Sequence, residues 1–146
     1  MRTSSNVRPG LAIQPSARRA ARLAEGWIAS PGLTFEEART QADLYRERCA
    51  AYGKDPGAVV LRRDIYVGAS SAEAQAVLQD ALSRGYRGIA AEAVIAGSVD
   101  EVAERFRRYA EIGYTEISVR HLTNDQPKVL GSLERLAAVR AALSRA

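Results

Sequence analysis

The chain has little with which to do thiol or metal chemistry. Of its 146 residues one is cysteine and one is histidine. A lone Cys49 excludes an internal disulfide and a multi-thiolate metal site, and a lone His121 excludes a multi-histidine site. Cys49 sits at a core-like helical position and reads as a small buried hydrophobe. Aromatics make up only 6% of the chain and do not alternate with basic residues as they do in single-strand binders. The longest apolar stretch, Ile89 to Ala96, is short and carries Glu92, so no transmembrane helix is expected. Met1 to Asn6 lack the apolar core of a secretory signal, and the expected compartment is the cytoplasm. Lysine is scarce, so arginine supplies most of a net charge of +4. The bases are interleaved with acids, as in Glu101, Glu104, Arg105, Arg107, Arg108 and Glu111. That pattern marks a solvated helix face rather than a nucleic-acid surface.

What is present is an ordinary globular composition, 47% apolar and 26% charged, with length for one core. Residues 1–10 read as a polar tail ending in the Pro9-Gly10 turn, and 11–146 as one domain. Leu11-Ala12-Ile13 suggests a short strand. The spacing of Ala17, Ala20, Ala21, Leu23 and Ala24 predicts a helix with Ser16 as its N-cap. Trp27 to Ser30 reads as a short buried strand, broken by Pro31-Gly32. Thr34 and Glu37 form a capping box for a helix whose apolar face is Ala38, Ala42, Tyr45, Cys49 and Tyr52.

Val59 to Val67 is the clearest strand. Val59, Leu61, Ile65 and Val67 share one parity, with Arg63 the odd member; Val60, Arg62, Asp64 and Tyr66 share the other. A third helix follows Gly68-Ala69-Ser70-Ser71, with Ala74, Val77, Leu78, Ala81 and Leu82 on one side. Arg84 to Ala96 reads as a loop with a short helix. Ser98 and Glu101 cap a fourth helix with Val99, Val102, Ala103, Phe106 and Ala110 inward. Tyr114 to Val119 is a strand, and Leu133, Leu136, Ala137 and Leu143 mark a final helix. Strands alternating with helices imply parallel pairing with right-handed crossovers, which an open doubly wound sheet and a (β/α) barrel both satisfy.

Two stretches carry a family resemblance. Ala17-Arg18-Arg19-Ala20-Ala21-Arg22-Leu23-Ala24-Glu25-Gly26-Trp27 resembles a helix running into a barrel strand in the luciferase-like monooxygenases, with Glu25 where those proteins usually carry aspartate. Gly97-Ser98-Val99-Asp100-Glu101-Val102-Ala103-Glu104-Arg105-Phe106, followed by Gly113-Tyr114-Thr115-Glu116-Ile117, is similar to the late helix and last barrel strand of the same family. The resemblance implies an α/β fold, a partial (β/α)8 TIM barrel made of the C-terminal three to four βα units with parallel strands. A complete barrel needs about 250 residues. The resemblance further implies an oxidoreductase or monooxygenase domain using FMN or a deazaflavin (coenzyme F-420) on a small organic substrate. The alternative is a non-catalytic, degenerate paralogue acting as a ligand-binding or dimerisation module. An arc of a barrel leaves sheet edges to cover, so a homodimer, or association with a full-length relative, is expected.

In such barrels the active face lies at the C-terminal ends of the strands. Ser16, at a helix start, and Ser30, past the Trp27 strand, are therefore candidate cofactor-binding residues. Gln14 and Pro15 stand where the family often has glycines, and Pro15 removes one N–H from that turn. Arg120 is a candidate for holding a phosphate or carboxylate, with a pairing to Asp125 as the bland alternative. His121 is the candidate catalytic acid or base. Gly68 to Ser71 and Gly97-Ser98 read as helix caps complete without a ligand.

Overall fold

A computed structural model describes residues 14–145. The tail and the strand expected at Leu11–Ile13 lie outside the described residues. Helix α1 spans Gln14–Leu23, followed by strand β1 (Gly26–Ala29), helix α2 (Phe35–Ala51) and strand β2 (Ala58–Val67). Helix α3 (Ser71–Ser83), two 3-10 turns (Tyr86–Gly88 and Ala91–Ala93) and a short strand β3 (Ile95–Gly97) come next. Helix α4 (Val99–Glu111), strand β4 (Glu116–His121) and helix α5 (Gln126–Ser144) complete the chain.

The caps form where side chains supply the missing acceptors. Thr34 and Ser98 each close a full capping box, with Glu37 and Glu101 returning a carboxylate to the cap N–H. Ser70 caps α3 and Asp125 caps α5. The α1 cap departs from expectation. The helix starts at Gln14, so Pro15 and Ser16 belong to its first turn, where proline's absent N–H costs no helical bond.

β2 is the spine of an all-parallel sheet. Both β1 and β4 pair with Val60 and Leu61, so they lie on opposite edges and the order β1–β2–β4 follows the chain. β3 pairs with Ile65 to Val67 at the far end of β2. Gly68 N–H donates to Gly97 O, whereas Leu122 N–H reaches Ile65 O. Residues 65 and 68 differ in parity, so β3 shares the β1 edge. Sequence reading missed β3 because three residues after a loop carry no periodicity. Where β1 meets β2 the chains approach closely. Gly57 has φ +63°, and a Cβ there would stand 1.9 Å from Glu25 O.

The two faces of the sheet differ sharply. Trp27, Val59, Leu61, Ile65 and Val67 pack under α2, α4 and α5, against Ala38, Ala42, Tyr45, Val102, Phe106 and Val139. Trp27 stacks on Tyr45 with ring centroids 5.4 Å apart, which makes it a core side chain. Two expected inward positions turn out exposed, since Tyr52 caps α2 and Ala110 yields its place to Tyr109; Leu23 in α1 and Leu133 and Ala137 in α5, which mark those helices in the sequence, are exposed as well. α5 buries Ser132 and Val139 instead, and its leucines line an apolar groove of about 890 Å³ beside β4. Among the described residues no helix is long and apolar enough to cross a membrane.

Candidate functional site

Among the described residues the opposite face of the sheet meets a helix only at its C-terminal end, where Tyr66 packs against Ala74, Val77 and Leu78 of α3. Ile28, Val60, Arg62, Asp64, Ser118 and Arg120 share that face by register: Ile28 pairs with Val60, Arg62 with Ser118, and Asp64 with Arg120. In an ordinary parallel sheet both faces are buried. Here Ile28 is 56% exposed, Ser118 and Arg120 are exposed, and Val60 and Arg62 are half-buried. This is the concave side of an arc, apolar toward β1, with Glu116 level with Val60 at the start of β4 and the two arginines toward the C-terminal ends of β2 and β4.

Asp64, like Tyr66, is buried on that face, with 1% exposure. The turn at Tyr86–Gly88 covers it. Tyr86 OH donates to Asp64 Oδ2, and Arg87 Nη1 lies 3.2 Å from the same oxygen. Burial, then the bond to Asp64, raises the Tyr86 pKa, so the phenol stays protonated and keeps donating. The turn is bent for this purpose. Arg87 has φ 47°, between Gly85 and Gly88 in the same left-handed region. Asp64 Oδ1 is buried without a hydrogen-bond partner among the described residues. A buried acceptor in that state costs free energy, and such groups call for an explanation.

The residues singled out from sequence do not all meet. Ser16 lies exposed in the first turn of α1, and Ser30 follows β1 with its Oγ 3.5 Å from Gly32 N. Arg120 stands beside Asp64 on the concave face and makes no ion pair with Asp125, which caps α5 instead. His121, one residue on, points the other way. Its Nε2 is 2.9 Å from Ser132 Oγ on α5, and burial lowers its pKa. Ser132 Oγ also accepts from Val67 N–H at 2.9 Å, and Arg135 Nη1 caps Val67 O at 3.1 Å. Two α5 side chains thus take the place of a strand where β4 has ended.

Arg63, the odd residue in the apolar parity, is wholly buried. It donates to Pro31 O (2.9 Å), Leu33 O (2.7 Å) and Tyr109 Oη (3.0 Å), and lies 5.0 Å from the centre of the Tyr109 ring. It holds the loop that carries Ser30. The parity break was the visible signal for Arg63, and the polar parity of Val60, Arg62, Asp64 and Tyr66 the signal for the concave face. Neither reveals which side a helix covers.

A cleft of about 620 Å³ opens at the C-terminal end of the sheet, between α3, the Tyr86 turn and the loop into α5. Lys128 and Glu73 both line it. A hydrogen bond from Tyr66 is the main cause of a lowered Glu73 pKa, with Lys128 a smaller contributor. Neither this cleft nor the α5 groove is lined by the concave-face residues Arg62, Asp64 or Arg120. The described residues contain no group of three or more potential metal ligands.

The sequence profile of luciferase-like monooxygenases matches residues 12–92. A search of curated protein sequences finds no match. Solved structures give the fold. The monooxygenase RslO1 from Streptomyces bottropensis superposes with a TM-score of 0.69 at 20% identity, over 86% of this chain and 44% of that one. The coenzyme F420 dependent tetrahydromethanopterin reductase from Methanopyrus kandleri gives 0.54 at 14% identity, over 74% and 42%. The oxygenating constituent of 3,6-diketocamphane monooxygenase from Pseudomonas putida, in complex with FMN, gives 0.60 at 18% identity, over 84% and 44%. The chain spans less than half the length of each of these proteins.

Proposed function

Since the chain belongs to the luciferase-like monooxygenase family, we propose that it is the C-terminal half of a flavin- or deazaflavin-dependent oxidoreductase acting on a small organic substrate in the cytoplasm. The observation that carries this reading is the concave face: β1, β2 and β4 parallel and in chain order, α2, α4 and α5 on the far side, and an open surface that grades from Ile28 to Arg62 and Arg120. That gradient suits a ring system with an apolar end and a polar, anion-bearing end, so the residues present fit such a cofactor as a floor.

When bound, the cofactor would supply hydride transfer or activation of dioxygen. The chain's own contribution is binding and orientation. Ile28 and Val60 offer an apolar bed. Arg62 and Arg120 offer charged donors, and Ser16 and the half-buried Ser30 offer hydroxyls at the same end of the sheet. Pro15 withholds an N–H from the first turn of α1, which shifts the work of anion binding toward these arginines. The role proposed for His121 is narrower: neutral near pH 7 and bonded to Ser132, it fixes the end of β4 from which Arg120 projects. Water exclusion requires a second surface over the concave face. We assign that to a second copy of the chain, whose pairing at the unpaired outer edge of β4 among the described residues would continue the sheet around that face.

Titrating the purified protein with FMN and with the deazaflavin coenzyme, while light scattering reads its mass, tests this. A saturable spectral change on a species of dimeric mass is expected. A monomer that leaves both spectra unchanged at several hundred micromolar cofactor overturns it. One observation favours the second reading, a non-catalytic binding or dimerisation module: neither described cavity lies on the concave face. A dimer that binds no cofactor would support that module.

A further inference from the structure

Arg62 and Arg120 project from the same face of adjacent strands, Arg62 level with Ser118 and Arg120 level with Asp64. Strands lie about 4.8 Å apart and residues two apart along a strand about 6.6 Å, which puts the two arginine Cα atoms diagonally at about 8 Å. From that spacing two flexible side chains can bring their planar forks onto one oxyanion. Neither guanidinium makes a hydrogen bond or ion pair among the described residues. The neighbouring carboxylate forms no ion pair with either. Asp64 gives Oδ2 to Tyr86 and Arg87, and its Oδ1, buried and without a partner, bonds neither Arg62 nor Arg120. Two unspent cationic donors therefore stand within reach of one another on an open surface.

We propose that Arg62 and Arg120 form an oxyanion-recognition pair on the concave face. The ligand class is a small molecule ending in phosphate, sulfonate or carboxylate. This deepens the oxidoreductase reading, on which it rests for the source of the anion: the cofactor's phosphate or an anionic substrate.

The test uses the whole protein with arginine side-chain nitrogens observed by NMR. Inorganic phosphate and methanesulfonate are titrated separately, and the Nε–H signals of Arg62 and Arg120 are assigned from Arg62→Gln and Arg120→Gln. Both signals should shift saturably together, and each substitution should weaken binding at least tenfold. Arg39→Gln, on the exposed side of α2, should leave it unchanged. Asp64→Asn removes a negative charge roughly 6 Å away and should tighten binding about threefold, which a merely structural role for Asp64 would not do. Shifts that do not saturate by 100 mM, or losses equal to those of Arg39→Gln, overturn the proposal. FMN and riboflavin then separate the sources. If FMN alone binds and needs both arginines, the anion is the cofactor's phosphate. If both bind alike and ignore the arginine variants while methanesulfonate still needs them, the anion belongs to the substrate. Anion binding without any flavin binding would leave this pair standing and remove the oxidoreductase reading. Flavin binding without any anion response would do the reverse.

Discussion

Replacing Ser132 by alanine removes one oxygen atom and little volume, so its effect isolates hydrogen bonding from packing. Ser132 is wholly buried on α5, accepts from Val67 N–H at 2.9 Å, and lies 2.9 Å from His121 Nε2. In the variant, Val67 N–H has no acceptor and no route to water, which costs about 1–3 kcal/mol. The His121 ring is half-buried and water can replace its partner, so that bond adds only about 0.5–1 kcal/mol. The expected loss is about 2–3 kcal/mol, a fall in melting temperature of roughly 5–10 °C for a domain of this size. Urea unfolding followed by circular dichroism gives the free energy, and hydrogen exchange gives the site: the Val67 amide should lose protection while Leu61 keeps its own. Most of the loss should persist in a His121→Ala background, because the Val67 bond dominates. A loss under about 0.5 kcal/mol with Val67 still protected would refute the idea that α5 side chains stand in for a strand at the end of β2.

Three further outcomes follow from the same structure. Arg63→Met relieves the burial of a charge that has no acid beside it but strands the carbonyls of Pro31 and Leu33. A net loss of about 2 kcal/mol is expected, with faster proteolysis at residues 31–33 and no rescue by Arg63→Lys, whose single ammonium cannot span both acceptors. Gly57→Ala places a Cβ 1.9 Å from Glu25 O at a left-handed φ, and should cost more than about 3 kcal/mol, seen as loss of soluble protein. For pH, burial lowers the His121 pKa in the folded state, so the unfolded chain takes up this proton first as pH falls. The contribution is full above the ordinary histidine value near 6.5 and drains away as pH drops from there to the folded pKa. Urea midpoints between pH 8 and 5 should show this slope in the parent and a shallower one in His121→Gln.

Much of the fold was legible because local rules operate locally. Capping boxes at Thr34 and Ser98 work through atoms three residues apart, and the alternation of Val59 to Val67 assigns a strand and its two faces without any neighbour. The misplacements have a common cause. Tyr52, Ala110 and Leu133 lie near apolar helical stripes, but how far a stripe is buried depends on where the next element stops. The candidate site was legible only in part. Arg120 and His121 are adjacent in sequence and read as one pair, yet pleating sends them to opposite faces, one toward Asp64 and one toward Ser132.

By itself the sequence determined the order of strands and helices apart from β3, the caps at Thr34 and Ser98, the parity of β2 and the kinship carried by the Ala17 to Trp27 stretch. These depend on spacings of a few residues or on matching a pattern. Tertiary structure alone decided which parity of β2 would be covered, that Arg63 would be spent on a loop while Arg62 and Arg120 stayed unspent, and that a serine far down α5 would finish a β-ladder. Those outcomes are set by which groups meet across tens of residues of chain, and by the desolvation each must then satisfy, quantities that no local pattern contains.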